Sequence, residues 1–487
     1  MKSQYLPPNA PTLMESTRAI GYSAEAAIAD IIDNSISAMA NNIEIDFFPK
    51  GNPFIAILDN GNGMLQDDLI AAMQYGSRNP REERESTDLG RYGLGMKTAS
   101  LSQCRRLTVI SKMNETISGC QWDLDYIREK NDWSLQILDY DDMQLLPGFD
   151  KLNYSEQGTL VLWQDLDKFR TGYADIDTAF REKIGAVKEH LALVFHRYLN
   201  GESGLKKLTI KFNSVPLTPK DPFLTKKSIQ LMDTEVIRVM EQEIQIKPYI
   251  LPHISKLTND EIEELGGKEG LRRQQGFYVY RNKRLLIWGT WFRLMRQGDL
   301  SKMARVMVDI PNSLDELWTL DIKKSTAIPP EEVKRNLNTI IGKIAEGSRR
   351  QITHRAKKEV GDDGIHLWNR EKLRSGGIQY TINRDYPIIG ILLNRHPDLH
   401  VNIELILKQI ESQLPLNSLY IDLTNDEKIE NEVDYQDTKI VDLLKTILDT
   451  YNILESRPSL LARLKIAEPF SNYDVAINKA IERGEFL

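Results

Sequence analysis

The chain of 487 residues holds only two cysteines, Cys104 and Cys120. Two are too few for a disulfide framework or a cysteine-based zinc site, and both are expected to be reduced core residues. No apolar run approaches the roughly 20 residues needed to cross a bilayer, so no membrane span and no membrane partner is expected. The opening stretch "MKSQYLPPNAPTLMEST" lacks an apolar h-region and an arginine-rich amphipathic pattern. It reads as mature sequence rather than a targeting segment, and cytoplasmic is the expected location. Positive charge is not in excess, since 63 Lys and Arg face 70 Asp and Glu for a formal net charge of -7. That balance excludes a surface coated in cations and confines any nucleic-acid contact to a local patch. No G-x-x-x-x-G-K-[ST] occurs in the chain, which excludes a P-loop nucleotide site. Internal repeats and low-complexity tracts are also missing.

What is present is a soluble globular composition, 41% hydrophobic and 27% charged. The length suggests about three domains. From Ser23 to Ala40 the apolar residues Ala27, Ile28, Ile31, Ile32, Ile36 and Met39 recur at helical spacing, with Ser23 as N-cap and Glu25 in the first turn. "NIEIDFF" and "FIAILDN" are β-rich runs joined by "PKGNP", which predicts a hairpin. Residues 65 to 89 are charged and polar without a clean period and read as a candidate mobile lid. Then come the glycine-rich "LGRYGLGMKTASL" and the strand-like "RLTVIS". Further strands are expected at 117 to 124, 133 to 138 and "GTLVLW", and a helical stretch at 173 to 200. A first domain over residues 1–200 is therefore expected. A mixed α/β second domain over 204–345 would open with "LTIKFN", and a mainly helical region over 346–487 carries no motif with assignable chemistry.

Three short motifs carry chemistry. Residues four apart on a helix share a face, so Asp30 and Asn34 project side by side while the isoleucines point to the core. A solvated helix face would look the same in isolation. "DNGNGM", Asp59 to Met64, ends a strand, where an aspartate can accept from an exocyclic amine and the glycines let a flat base approach the backbone; a plain turn has the same composition. "GRYGLGMKTAS", Gly90 to Ser100, runs its glycines into a helix start, an arrangement that exposes N–H groups and a helix dipole to phosphates. Alone, such a loop is weak evidence.

The order of these elements, followed by "GT" at Gly158 and Thr159 opening a strand, resembles the GHKL ATPases, the superfamily of gyrase B, heat-shock chaperones, histidine kinases and MutL. The resemblance covers the first 165 residues or so. It implies a Bergerat fold, an α/β (α+β) sandwich in which ATP lies between helices and a mixed sheet. It implies that Asn34 holds Mg²⁺, with the triphosphate completing the oxygen shell. Asp59 matches the adenine-binding aspartate, Gly63 the glycine under the base, and Thr159 the threonine that shares a water with Asp59. Gly61 and Met64 belong to the same adenine box. Gly90, Tyr92, Gly93, Leu94, Gly95, Met96 and Lys97 fall in the phosphate loop. The general base lies four residues before the Asn and is usually Glu; here it is Asp30. Asp is shorter by one C–C bond, roughly 1.5 Å, and a shift of about 1 Å can cost on the order of 100-fold in rate. A base acting through one water can still work slowly. Ser37 departs from the usual Asp, a position that is commonly structural.

Histidine kinases are excluded because their phospho-accepting His precedes the ATP domain, whereas the first His here is His190. The sequence is most similar to prokaryotic MORC-type and MutL-like members, which implies an S5-like second domain that returns a basic residue to the γ-phosphate. In "LWTLDIKKSTA", residues 317 to 327, Lys324 is the best match to that switch residue and Lys323 the next, although two solvated lysines at a strand end would read alike. Lys268, Arg272, Arg273, Arg281, Lys283, Arg284, Arg293, Arg296, Lys302 and Arg305 interleave with Tyr278, Tyr280, Trp288 and Trp291. The 268–305 region is a candidate DNA surface or, alternatively, an aromatic core with a charged rim. "GSRRQITHRAKK", residues 347–358, is a second basic cluster. The resemblance thus implies an ATP-gated homodimeric clamp that hydrolyses ATP slowly, with DNA and other operon-encoded proteins as candidate partners, in repair, DNA compaction or phage defence. The alternative is a nucleotide-dependent scaffold or chaperone-like assembly protein with negligible turnover.

Overall fold

A computed structural model of the chain describes residues 3, 4, 6, 8–19, 21–76, 95–173, 175–230, 234–252, 256–298, 301–314, 318–320, 327–342, 344, 365–372, 378–395, 398–416, 418–419, 437–451 and 456–486. The chain divides into two compact units, Met1–Ser348 and Arg349–Leu487.

The first unit opens with helix α1 (Ala10–Arg18), helix α2 (Ala24–Ser37) and strands β1 (Asn42–Phe48) and β2 (Phe54–Asp59). Helices α3 (Gln66–Met73) and α4 (Gly95–Leu101) follow, then β3 (Arg106–Met113), β4 (Thr116–Asp123), α5 (Leu124–Lys130) and β5 (Gln136–Leu138). After α6 (Tyr140–Gln144) and α7 (Phe149–Tyr154) come β6 (Gly158–Gln164), α8 (Asp167–Arg170), α9 (Ile176–Val194), α10 (His196–Asn200), β7 (Thr209–Phe212) and β8 (Val215–Pro216). The strands make one mixed sheet in the order β5-β4-β3-β6-β2-β1-β7-β8. Strand alternation sorts its side chains into two layers. Ile55 and Ile57, Val161 and Trp163, and Leu107 and Val109 join α1, α2, α4 and α9 in the main core. Ala56, Leu160, Leu162 and Ile110 point the other way and are covered by Met143 of α6 and Phe149 and Leu152 of α7.

Helix α2 forms as its pattern predicts. The Ser23 side chain accepts from the Ala26 N–H, and Ala27, Ile28, Ile31 and Ile32 are fully buried. The predicted hairpin is the β1–β2 pair, in antiparallel register from Ile43 opposite Asp59 to Phe48 opposite Phe54. Part of the segment without a clean period is helix α3, while residues 77–94 lie outside the described residues. "LTIKFN" differs from expectation: β7 pairs in parallel with β1 and belongs to the first sheet. A short alternating run specifies a strand but not which edge it joins.

The second sheet holds β9 (Ile229–Gln230), β10 (Glu235–Val239), β11 (Gln242–Ile250), β12 (Gly276–Arg281), β13 (Arg284–Thr290) and β14 (Ala304–Ile310). Its order is β10-β11-β14-β12-β13, with β9 beside β11. The β12–β14 pair is parallel. Helices α11 (Asn259–Glu264) and α12 (Gly267–Arg273) cross between β11 and β12. In the second unit, the antiparallel strands Trp368–Lys372 and Ile378–Ile382 accompany helices that include Asp437–Tyr451, Arg457–Lys465 and Asp474–Glu482. Ile440, Leu444, Leu448, Leu460, Phe470 and Ile477 form its core. No helix among the described residues is long and apolar enough to cross a membrane.

Candidate nucleotide site

Asp59 closes β2 with its side chain buried. One carboxylate oxygen accepts from the Ser35 hydroxyl at 2.7 Å and the other from the Gly61 N–H at 2.8 Å. Thr159 stands opposite it across the β2–β6 ladder. Burial pushes the Asp59 carboxyl above the usual carboxylate range, only partly offset by the Ser35 hydroxyl and the backbone N–H groups of Gly61 and Thr159. No ion pair balances it among the described residues. A buried carboxyl without an ion pair and with a raised pKa is a candidate functional group.

The loop after Asp59 is held from β3. Ser111 Oγ accepts from the Met64 N–H at 2.9 Å and shares a 2.9 Å hydrogen bond with the Thr159 hydroxyl. Ser111 was not among the expected site residues, yet the sequence contains a signal for it. It continues the inward-facing set Leu107 and Val109, so a polar residue stands where the period calls for an apolar one. Two glycines make this packing possible. Gly63 has φ +70°, and a Cβ there would lie 2.1 Å from the Lys112 carbonyl oxygen. Gly158 has φ +148°, and its Cβ would lie 2.1 Å from the Asp59 carbonyl oxygen. A side chain at Gly158 would push β2 and β6 apart where Asp59 and Thr159 meet, and one at Gly63 would lift the loop off β3.

On α2, Asp30 is buried and Asn34 is exposed. The start of α4 lies against Asp30, since a Cβ on Gly95 would be 3.4 Å from Asp30 Oδ2. Met96 packs against the main core. Gly90, Tyr92, Gly93 and Leu94 lie outside the described residues. Ser37, in place of the usual acid, donates to the Asp33 carbonyl at 2.9 Å and so is tied into its own helix.

Lys97 differs from expectation. Its ammonium is buried and donates to the Ala72 and Gln74 carbonyls at 2.7 and 2.9 Å, at the C-terminal end of α3. A cation suits that end, where carbonyls lack helical partners. Burial lowers its pKa to about 8.

Lys323 and Lys324 lie outside the described residues, and Thr319–Leu320 pairs with Ala327–Ile328 on either side of them. Residues 347–358 also lie outside. The 268–305 region is not one basic surface. Tyr278, Tyr280 and Trp291 are core residues, and Arg281, Arg284, Lys302 and Arg305 are buried with them. Strand β12 is covered on both faces, so its aromatics and cations cannot alternate between core and solvent. Arg305 spends its guanidinium on the Lys302, Ala304 and Leu271 carbonyls. Arg272, Arg273, Arg293 and Arg296 are exposed.

A mixed sheet backed by α2, α4 and α9, with a buried aspartate at a strand end and an acid–amide pair on the facing helix, defines an α/β sandwich of the ATP-binding type. Comparison with known proteins agrees. Residues 22–159 match the family described as histidine kinase-, DNA gyrase B- and HSP90-like ATPase. The chain is 34% identical over 96 residues to ATPase MORC2B of Mus musculus, 19% of this chain and 9% of that protein. It is 31% identical over 95 residues to ATPase morc-1 of Caenorhabditis elegans, 19% of this chain and 11% of the relative. To the DNA mismatch repair protein MutL of Shewanella denitrificans the identity is 32% over 101 residues, 20% and 15% of the two chains. The chain thus spans about a tenth of the length of the MORC relatives it matches. Over residues 22–159 the chain is similar to GHKL-type ATPases, with MORC and MutL proteins among its relatives.

Proposed function

We propose that this chain binds ATP with Mg²⁺ and hydrolyses it slowly, as an ATP-gated dimeric clamp in a DNA-related process such as repair, DNA compaction or phage defence. The observation that carries the reading is that α2 reaches both Asp59, at the end of the central strand β2, through Ser35 and the first turn of α4 through Asp30. The buried Asp59 carboxylate suits the exocyclic amine of adenine, with Gly61, Gly63 and Met64 beneath the base and Thr159 beside it. Thr159 already shares its hydroxyl with Ser111, so water there would be held on a fixed network.

No group of three or more His, Cys, Asp or Glu suited to a metal exists among the described residues. A site with one exposed protein ligand, Asn34, fits Mg²⁺, which takes most of its oxygens from phosphates and water. Bound there, Mg²⁺ would neutralise charge on the terminal phosphates. Asp30 is the candidate general base, accepting a proton from the attacking water. Lys324 is the candidate γ-phosphate contact and Lys323 the second choice, with Gly90, Tyr92, Gly93, Leu94, Gly95 and Met96 as candidate phosphate-loop residues. Contacts made only in the ATP state would shift the population toward the closed homodimer.

The names of relatives, one a mismatch-repair protein, support the DNA assignment. The short carboxylate at Asp30 favours the second reading, a nucleotide-dependent scaffold with negligible turnover. Phosphate release by the purified chain with and without duplex DNA decides between them. Release that rises with DNA is expected, whereas ATP-dependent dimerisation without release would establish the scaffold.

A further inference from the structure

The β12–β13 hairpin turns through Asn282 and Lys283, with φ of 48° and 68°. Two left-handed residues give the tight turn whose twist matches the strands beside it. Arg281 and Arg284 face each other at the foot of that turn. The tip is engaged by the helical layer of the first sheet. The Tyr198 hydroxyl of α10 donates to the Asn282 carbonyl at 2.6 Å. Lys283 Nζ donates to Asp309 of β14 at 3.0 Å, and the other Asp309 oxygen accepts from Arg197 Nη1 of α10 at 2.5 Å. Arg197 is in turn bidentate to Glu202.

The remaining contact reaches the site helix itself. Arg284 Nε donates to the Asp33 carboxylate at 3.1 Å, with side chains only 6% and 1% exposed. The guanidinium also lies 5.8 Å from the centre of the Phe195 ring. A buried ion pair adds little net stability against an apolar replacement, but removing one partner strands a charge, so such a pair holds a geometry. Asp33 directly precedes Asn34 and follows Asp30 by three residues on α2. A roll of α2 that moved Asp30 relative to Gly95 would also stretch the bond to Arg284. Ser35 of α2 does reach Asp59, but the rest of the adenine end has supports off that helix, namely Gly61, Ser111 and the strand register.

We infer that Arg284 is a positioning residue: through Asp33 it sets the rotation of α2, and with it Asp30 and Asn34, so that turnover depends on the second sheet. The inference rests on the ATP reading above. It predicts a split between the two ends of the nucleotide. With Arg284→Met in the full chain, kcat should fall about tenfold or more. ADP affinity, dominated by the adenine end, should stay within about threefold, while a non-hydrolysable ATP analogue loses most of its advantage over ADP. Because this variant takes the Arg284 partner from Asp33, Asp33→Asn combined with Arg284→Met removes both members of the pair together. The double variant should melt like the wild type and still lose turnover, and Arg284→Lys should recover only part of it. A kcat within about twofold of wild type in either folded variant overturns the positioning role. If the wild-type chain itself releases no phosphate, the ATPase reading fails instead. The analogue-over-ADP preference then decides alone, and an unchanged preference in the double variant overturns the inference.

Discussion

At the scale of single residues, Asp30 and Asp59 are both buried carboxylates in the first unit, and the proposed function gives them different work. Asp59 is surrounded by donors at a strand end, so it is suited to recognition. Asp30 faces the start of α4, where the proposal has it accept a proton from the attacking water. Replacing Asp30 with Ala should reduce phosphate release to background while nucleotide titration shows affinity within a few-fold of wild type. Replacing Asp59 with Asn puts an amide donor where the Ser35 hydroxyl and Gly61 N–H need an acceptor. Loss of nucleotide binding is the expected outcome, and retained affinity would move the adenine elsewhere. These two residues were legible in the sequence because the order of motifs singles them out. Ser35 and Asp33 were not. They flank Asn34 in an ordinary helical pattern, and only the tertiary arrangement shows that one serves Asp59 and the other Arg284.

Among the elements, α3 and α4 share the main core and are also joined through the buried cation of Lys97. Lys97 satisfies two carbonyls at the end of α3, so Lys97→Met should cost about 1–3 kcal/mol by leaving them without a partner. The pH dependence has a defined sign. The folded pKa lies near 8, below the ordinary 10.5. Between those values the unfolded chain keeps a proton that the folded chain has released, so rising pH favours the folded state. The stability gap between wild type and Lys97→Met, measured by chemical denaturation, should therefore widen above about pH 8, by on the order of 1 kcal/mol. A gap that narrows would mean Lys97 is held charged. Local pattern gave α2, the β1–β2 hairpin and the start of α4, because caps and period act over a few residues. It put β7 with the second domain and left β12 open between a DNA surface and an aromatic core with a charged rim, because edge choice and two-sided burial depend on residues far away in the chain.

For the whole first unit, the second sheet is tied to the nucleotide-binding layer by buried charge as well as by apolar contact. Arg197, Asp309 and Glu202 form one such tie, and Phe223, Tyr278 and Tyr280 form a shared aromatic core. His196 donates to or accepts from the Tyr280 hydroxyl at 2.7 Å, and burial lowers its pKa to about 4, so it stays neutral at physiological pH. Movement between the two layers is therefore opposed by polar groups that must keep their partners. The two cysteines bear on how such movement can be followed. Cys104 and Cys120 are free and buried. Burial holds the Cys104 thiol well above its usual range and pushes Cys120 up to about 11, and it is the thiolate that reacts. Native protein should give almost no colour with Ellman's reagent until it is unfolded. The wild-type background is thus silent to maleimides, and one cysteine introduced on an exposed strand end of each sheet would carry a dye pair without removing either native thiol.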